Sequence, residues 1–168
     1  MDGDEGFADV FLDGVFVSDE DVLGGVGNGW KVAMSSLDHE RDMIWIMNWV
    51  EIKRGLDAVR EARPTDDICA ELGSLLADAE ALRATGYRAL GNELAGRPSP
   101  EADILKLLGS VTLQRVWELA SVAKGQDAVS DPDLLFERQD ALAATIYGGT
   151  SEVQRNIIAE RLLGLPKG

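Results

Sequence analysis

Apolar and polar positions along this chain repeat with two different periods. Between Phe7 and Leu23 the residues Phe7, Val10, Leu12, Val15 and Val17 are β-rich, and Asp13-Gly14 separates two short runs in the manner of a hairpin turn. Two short strands are predicted there. An isolated hairpin is marginal in water, so this piece is expected to pack on the rest of the chain or to be the edge of a larger sheet, and the abrupt opening at Met1-Asp2-Gly3 suits the second option.

The glycine-rich loop Gly24 to Gly29 follows and opens a helix, with two readings. It resembles a dinucleotide-binding turn, but no second strand and no βαβ unit follow, which leaves a flexible entry to a long helix. From Trp30 to about Val59 the period becomes helical, with Val32, Leu37, Ile44, Met47 and Val50 predicted on one apolar face. Pro64 and Asp66-Asp67 end that helix. Ile68, Leu72, Leu75, Leu76, Ala79, Leu82 and Leu90 build a second, closing near Gly96-Arg97-Pro98. Ser99-Pro100-Glu101 predicts the start of a third, with Ile104, Leu107, Leu108 and Val111 on one face, and Asp131-Pro132-Asp133 starts a fourth. Gly148-Gly149 breaks the fourth. Ser151-Glu152-Val153-Gln154 has the form of a capping box, so a fifth helix is expected to run to Gly164 and Pro166. The expected fold is all-α: an up-and-down helical bundle with a short N-terminal β-hairpin remnant.

The 168 residues suit one domain of ordinary size and are short for a complete two-domain redox enzyme, so a large cofactor site is expected to be shared. An apolar fraction of 45% and a charged fraction of 27% are those of a folded soluble chain. Thirty acidic against 16 basic residues leave a net charge of −14, with no Lys/Arg run, which argues against nucleic acid as a partner. The same charge is awkward for an anionic ligand, which would need local help from helix N-termini or single basic residues. A lone cysteine, Cys69, excludes an internal disulfide, and a lone histidine, His39, leaves no ligand cluster, so no metal site is expected. No stretch has the length of a membrane span and no leader pattern opens the chain, so a cytoplasmic location is expected.

Two segments carry candidate chemistry. In Ile146-Tyr-Gly-Gly-Thr-Ser-Glu-Val-Gln-Arg155, two glycines precede a capped helix and would expose several backbone N–H groups to an anion, although most helix starts bind only water. In Leu37-Asp38-His39-Glu40-Arg41, Glu40 lies between Leu37 and Ile44. A carboxyl on the apolar side would be desolvated and its pKa raised toward that of a general base, whereas a solvated acid paired with Arg41 is the commoner arrangement. His39 has no nucleophile-elbow serine to serve. Trp30, Trp45, Trp49 and Trp117 are expected in core and interface rather than as base-stacking platforms.

Together, Gly27-Asn-Gly-Trp-Lys-Val-Ala-Met-Ser-Ser-Leu-Asp-His-Glu-Arg41 and Ile146 to Arg155 resemble the acyl-CoA dehydrogenase family. The resemblance covers essentially the whole chain and divides it into 1–27, the end of a middle β domain with its linker, and 28–168, the C-terminal helical bundle domain. It implies a flavin-dependent enzyme that takes a proton from Cα of an acyl-CoA thioester with a carboxylate while a hydride leaves Cβ for FAD, giving a trans-2-enoyl-CoA. Electrons then pass to an electron-transfer flavoprotein or similar acceptor. In many members the base follows the tyrosine of the second segment, where this chain has Gly148. Others carry it on the long helix in Leu-Asp-x-Glu-Arg, which Leu37 to Arg41 match. The resemblance therefore implies Glu40 as catalytic base with Arg41 orienting it, Asp38, Tyr147 and the Gly148 N–H on the substrate side, and Gly149, Thr150 and Glu152 at the flavin nucleotide. Two departures concern residues that a subunit usually donates to its neighbour's FAD. Arg60-Glu-Ala-Arg-Pro64 replaces Arg-x-x-Phe-Gly, and Ala123-Lys-Gly-Gln-Asp-Ala-Val129 replaces Gln-x-x-Gly-Gly-x-Gly. Homo- or hetero-oligomers with similar subunits both fit, as does a non-catalytic partner or scaffold subunit.

Overall fold

The computed structural model of the protein describes residues 8–99 and 101–167, without the side chains of 37–42, 102 and 103. Its elements are α1 (Gly29–Glu61), α2 (Asp66–Leu94), α3 (Ala102–Lys124), a 3-10 segment (Gly125–Ser130), α4 (Pro132–Ala143) and α5 (Ser151–Ile157), which passes into a π turn (Ile158–Leu162). A single 3-10 turn at Asp19–Asp21 precedes them. The all-α bundle is therefore as expected. Short connections fold α1, α2 and α3 against one another, and α3 is the axis: it touches α1, α2, α4 and α5.

The core follows from one stripe on each long helix. Ile52, Leu56 and Val59 of α1, Leu75 and Leu82 of α2 and Val116 of α3 are fully buried. Each such side chain contributes roughly 1.5–3 kcal/mol by leaving water. At three points a neighbouring side chain fits close against a helix because that helix carries a glycine there. A Cβ on Gly86 would meet the Trp45 ring at 2.5 Å, one on Gly55 would meet Val116 at 2.8 Å, and one on Gly109 would meet Asn48 at 2.8 Å. Close packing at these crossings offsets the roughly 1 kcal/mol that glycine costs a helix.

Four details differ from the sequence expectation. No strand forms among the described residues. Residues 8–17 make no ladder hydrogen bonds, and Val10, Phe11, Leu12, Val15 and Phe16 are all exposed, because two short strands with no further sheet to pair with cannot hold a hairpin. On α1 the buried stripe is Ile44, Trp45, Asn48, Ile52, Leu56 and Val59, while Met47 and Val50 are exposed beside Met43. The helix has two apolar stripes, and periodicity alone favoured a set that mixes them. On α3 the bundle buries more than one face: Leu105, Leu113, Val116 and Trp117 are buried, whereas Ile104, Leu107, Leu108 and Val111 are only partly so. The helix also begins later than Ser99, whose buried hydroxyl has no partner among the described residues. Finally, α5 is capped one residue earlier than expected. The Thr150 hydroxyl, not that of Ser151, accepts from the Val153 N–H at 3.3 Å. The loop at 24–29 leads directly into α1, with the Asn28 amide donating to the Gly24 carbonyl at 2.8 Å, and no strand flanks it to make a dinucleotide fold.

Candidate functional site

The chain from 144 to 150 turns between α4 and α5, and every anchor that shapes it comes from the bundle. Tyr147 N–H donates to the Ala143 carbonyl at 3.1 Å and Ser151 N–H donates to the Thr145 carbonyl at 3.0 Å, which closes the loop. Gln114 of α3 donates to the Leu142 carbonyl at 3.3 Å and to the Thr145 hydroxyl at 3.1 Å. Gly148 and Gly149 then take φ values of +63° and +97°, a region glycine enters without the steric cost that a Cβ brings.

Two buried side chains hold the glycine carbonyls. Gln154 of α5 donates its amide to the Gly148 carbonyl at 3.2 Å, and Lys106 of α3 donates its ammonium to the Gly149 carbonyl at 2.6 Å. Both side chains sit in residues only 2% exposed. Burial holds the Lys106 ammonium below the ordinary lysine pKa, against the pull of the nearby Glu152 carboxylate. Glu152 in turn is held below the usual carboxyl range by its own backbone N–H, by the Thr150 hydroxyl, and by Arg155 and Lys106. Among the described residues, no backbone acceptor meets the N–H groups of Gly148, Gly149 or Thr150. Such a loop suits an anion or a polarised carbonyl oxygen, through free backbone donors and a cation beneath them. With only seven residues, α5 adds little helix dipole to it.

The loop packs against α1. A Cβ on Gly148 would lie 2.9 Å from Ile44 Cδ1. Position 40 lies one helical turn before Ile44, about 6 Å along the α1 axis. The side chains of Asp38, Glu40 and Arg41 are outside the described residues, as is that of His39. Tyr147 is exposed as a residue, but partial burial of its phenol, with Asp140 and Glu51 nearby, pushes the phenol pKa up. The structure thus places Tyr147, Gly148, Gly149 and Thr150 in one loop, with Glu152 in the first turn of α5 beside it, and sets that loop against α1 one turn from position 40. Sequence reasoning missed Lys106 and assigned Gln154 only to a capping box. The available signal was a lysine inside the run Ile104-Leu105-Lys106-Leu107-Leu108, where a helix otherwise buries apolar side chains.

Toward the C-terminal end of α1 lies a cavity of about 340 Å³ between α1, α3 and α4, lined among others by Arg54, Glu61, Trp117, Lys124, Asp131 and Glu137. Its cations are already matched. Arg54 pairs with Glu137 at 2.6 Å and with Glu51, and Lys124 pairs with Asp131. Arg54 and Lys124 are both raised above their ordinary pKa, chiefly by these hydrogen bonds to Glu137 and Asp131. Among the described residues no group of three or more His, Cys, Asp or Glu side chains is placed to hold a metal, and no helix is long and apolar enough to cross a membrane.

The bundle is shared by solved structures. It is similar to butyryl-CoA dehydrogenase from Megasphaera elsdenii, with a TM-score of 0.78 and 26% identity over 88% of this chain and 42% of that one. It is also similar to a chain of the ChsE4–ChsE5 complex from Mycobacterium tuberculosis, with a TM-score of 0.61 and 25% identity over 71% of this chain and 36% of the other. Residues 27–163 match the family described as acyl-CoA dehydrogenase, C-terminal domain, and the chain belongs to the acyl-CoA dehydrogenase family, a flavin-dependent family of oxidoreductases. Among curated relatives, acyl-CoA dehydrogenase IpdE1 of Mycobacterium tuberculosis is 31% identical over an alignment that covers 96% of this chain and 44% of that protein. The chain thus spans less than half the length of that relative.

Proposed function

We propose that this chain supplies the C-terminal helical part of a catalytic acyl-CoA dehydrogenase subunit that converts an acyl-CoA thioester to a trans-2-enoyl-CoA, with Glu40 as the base. The observation that carries this is the packing of Gly148 on Ile44, one turn of α1 from position 40. A carboxylate on α1 and a side-chain-free backbone at 148 then approach one point from two segments. Glu40 takes the α proton, and Arg41 orients its carboxylate. The Gly148 N–H donates to the thioester oxygen, stabilising charge that develops as the proton leaves, while Tyr147 borders the acyl group and Asp38 lies toward the CoA arm. Gly149, Thr150 and Glu152 would hold the nucleotide portion of FAD, which would supply the acceptor for the hydride leaving Cβ; this agrees with a loop whose Gly149 and Thr150 N–H groups meet no backbone acceptor among the described residues and whose carbonyls are tied back. Residues 1–27 belong on this reading to the end of a β domain, and the electrons pass to an electron-transfer flavoprotein or similar acceptor.

The second cavity is lined by Glu61, Ala62 and Lys124, from the two segments that depart from those a subunit usually donates to its neighbour's FAD, and among the described residues no unmatched arginine or lysine lines it, which favours an assembly with non-identical acyl-CoA dehydrogenase-like subunits. In the complete enzyme, Glu40→Gln is expected to slow flavin reduction by acyl-CoA by at least about 10²-fold, the lower bound for a general base, with unchanged flavin content. The amide keeps the shape but cannot take the proton. Near-normal reduction in a stopped-flow trace would leave the chain as a non-catalytic partner subunit.

A further inference from the structure

We infer that Lys106 is a positioning residue for an anionic nucleotide group: together with Gln154 it draws the Gly148 and Gly149 carbonyls toward the bundle and so presents the Gly149 and Thr150 N–H groups on the opposite side of the loop. The nature of that group rests on the functional reading above; the brace itself does not.

The geometry follows from peptide planarity. All described peptide bonds are trans, and in a trans peptide the C=O and the next residue's N–H point in opposite directions. Gln154 fixes the Gly148 carbonyl, and with it the direction of the Gly149 N–H. Lys106 fixes the Gly149 carbonyl, and with it the direction of the Thr150 N–H. Neither N–H has a backbone acceptor among the described residues. Because Gly148 and Gly149 could rotate freely without these two bonds, their orientation depends on side chains from α3 and α5.

Lys106 is poorly explained by stability alone. A buried ammonium is costly, and an apolar side chain of similar volume often does as well or better in a bundle. Its described hydrogen bond goes to a neutral carbonyl, and among the described residues no carboxylate lies within ion-pair distance. Glu152 is close enough to be felt but not to neutralise it. A cation held directly beneath a loop of free N–H groups adds its field to theirs, and the group that completes such a site is an anion such as a nucleotide phosphate.

The test uses Lys106→Met, which keeps the volume and removes donor and charge, and Gln154→Leu beside it. In this chain, each should speed hydrogen exchange at the Ser151 N–H, whose bond to Thr145 closes the loop, on the order of tenfold, the size expected for one lost hydrogen bond to a charged or buried group. The core amides of Leu56 and Val116 should not change. In the holoenzyme, Lys106→Met should release FAD at least about tenfold faster, as read by flavin fluorescence after dilution. Unchanged exchange at Ser151 overturns the brace, and equal acceleration of the core amides reduces Lys106 to a structural residue. Faster exchange with normal FAD retention overturns the role toward the nucleotide. A wild-type holoenzyme that takes up no flavin would refute the flavin reading and the nucleotide role together, while the exchange measurement would still decide the brace.

Discussion

The middle of α1 and its C-terminal end meet the same long-range problem, a chain with a net charge of −14, and treat their cations in opposite ways. Near Ile44 the available cation, Lys106, is buried on a neutral carbonyl, and the backbone donors above it meet no backbone acceptor among the described residues. Near Glu61 the cations Arg54 and Lys124 face water and carboxylates, and Glu51, Glu137 and Asp131 occupy them. Anion-binding capacity is therefore a local matter of which donors are left unmatched, and net charge does not report it. On the proposed reading the middle of the helix receives an anion. At its C-terminal end the chain's own carboxylates already pair with the lining cations.

The largest expected effect that would break this contrast comes from moving the base. If Glu40 and Gly148 approach the same carbon, Glu40→Gly should be at least about 10²-fold slower than wild type in flavin reduction, and adding Gly148→Glu should recover part of the rate. The structure limits the recovery. A non-glycine residue at φ +63° costs roughly 1–2 kcal/mol, and its Cβ would lie 2.9 Å from Ile44 Cδ1, so that side chain must swing aside. Adding Ile44→Val should raise the recovered rate further. A double variant no faster than Glu40→Gly, with or without the valine, would show that the two positions do not converge.

A smaller effect isolates the crowding at Gly148. Gly148 and Gly96 share a φ of +63°, but a Cβ at Gly96 meets nothing within 4 Å. Gly96→Ala should therefore cost about 1–2 kcal/mol, the left-handed penalty alone, and Gly148→Ala should cost about 1 kcal/mol more because Ile44 must give way. Urea unfolding of the two variants measures the difference directly. Equal losses would mean that α1 is not packed on the loop as described.

Much of this was legible in the residues before any coordinates. Pro64, Pro132 and the Gly148-Gly149 pair punctuate the helices, and helix boundaries fell within a few residues of them because these residues act through their own backbone. The buried stripe of α1 was less legible, since Met47 and Val50 are as apolar as Ile52 and Leu56 and only tertiary packing chooses between the two sides. The hairpin expected at 7–23 failed for a related reason: strand-forming residues need a sheet, and local preference cannot supply one. At the site, the double glycine and Thr150 announced themselves through turn and cap chemistry. Lys106 did not, because it lies 43 residues from the loop that it holds and the contact exists only after α3 and α5 are packed.

The smallest expected effect concerns the closed end, and it asks whether the carboxylates there are what closes it. Glu51→Gln with Glu137→Gln frees Arg54, and Asp131→Asn frees Lys124 while keeping an acceptor for the α4 cap, where the aspartate now takes the Asp133 and Leu134 N–H groups at 3.1 Å. Two unit charges about 4 Å apart in bulk water attract by about 1 kcal/mol, so each released cation should raise the affinity for ADP roughly fivefold. The gain should shrink as salt rises, because the cavity is open to water and its charges are screened over roughly 8–10 Å. Shift changes at the amides of Ala58 and Ala120, which line the cavity, separate binding there from binding at the Gly148 loop. Wild-type protein should show no saturation at those amides at concentrations where the triple variant begins to. If the wild type binds ADP there as tightly as the triple variant, its paired carboxylates do not exclude an anion. The two regions of α1 would then differ in shape alone, and the cavity would be open to a neighbour's nucleotide after all.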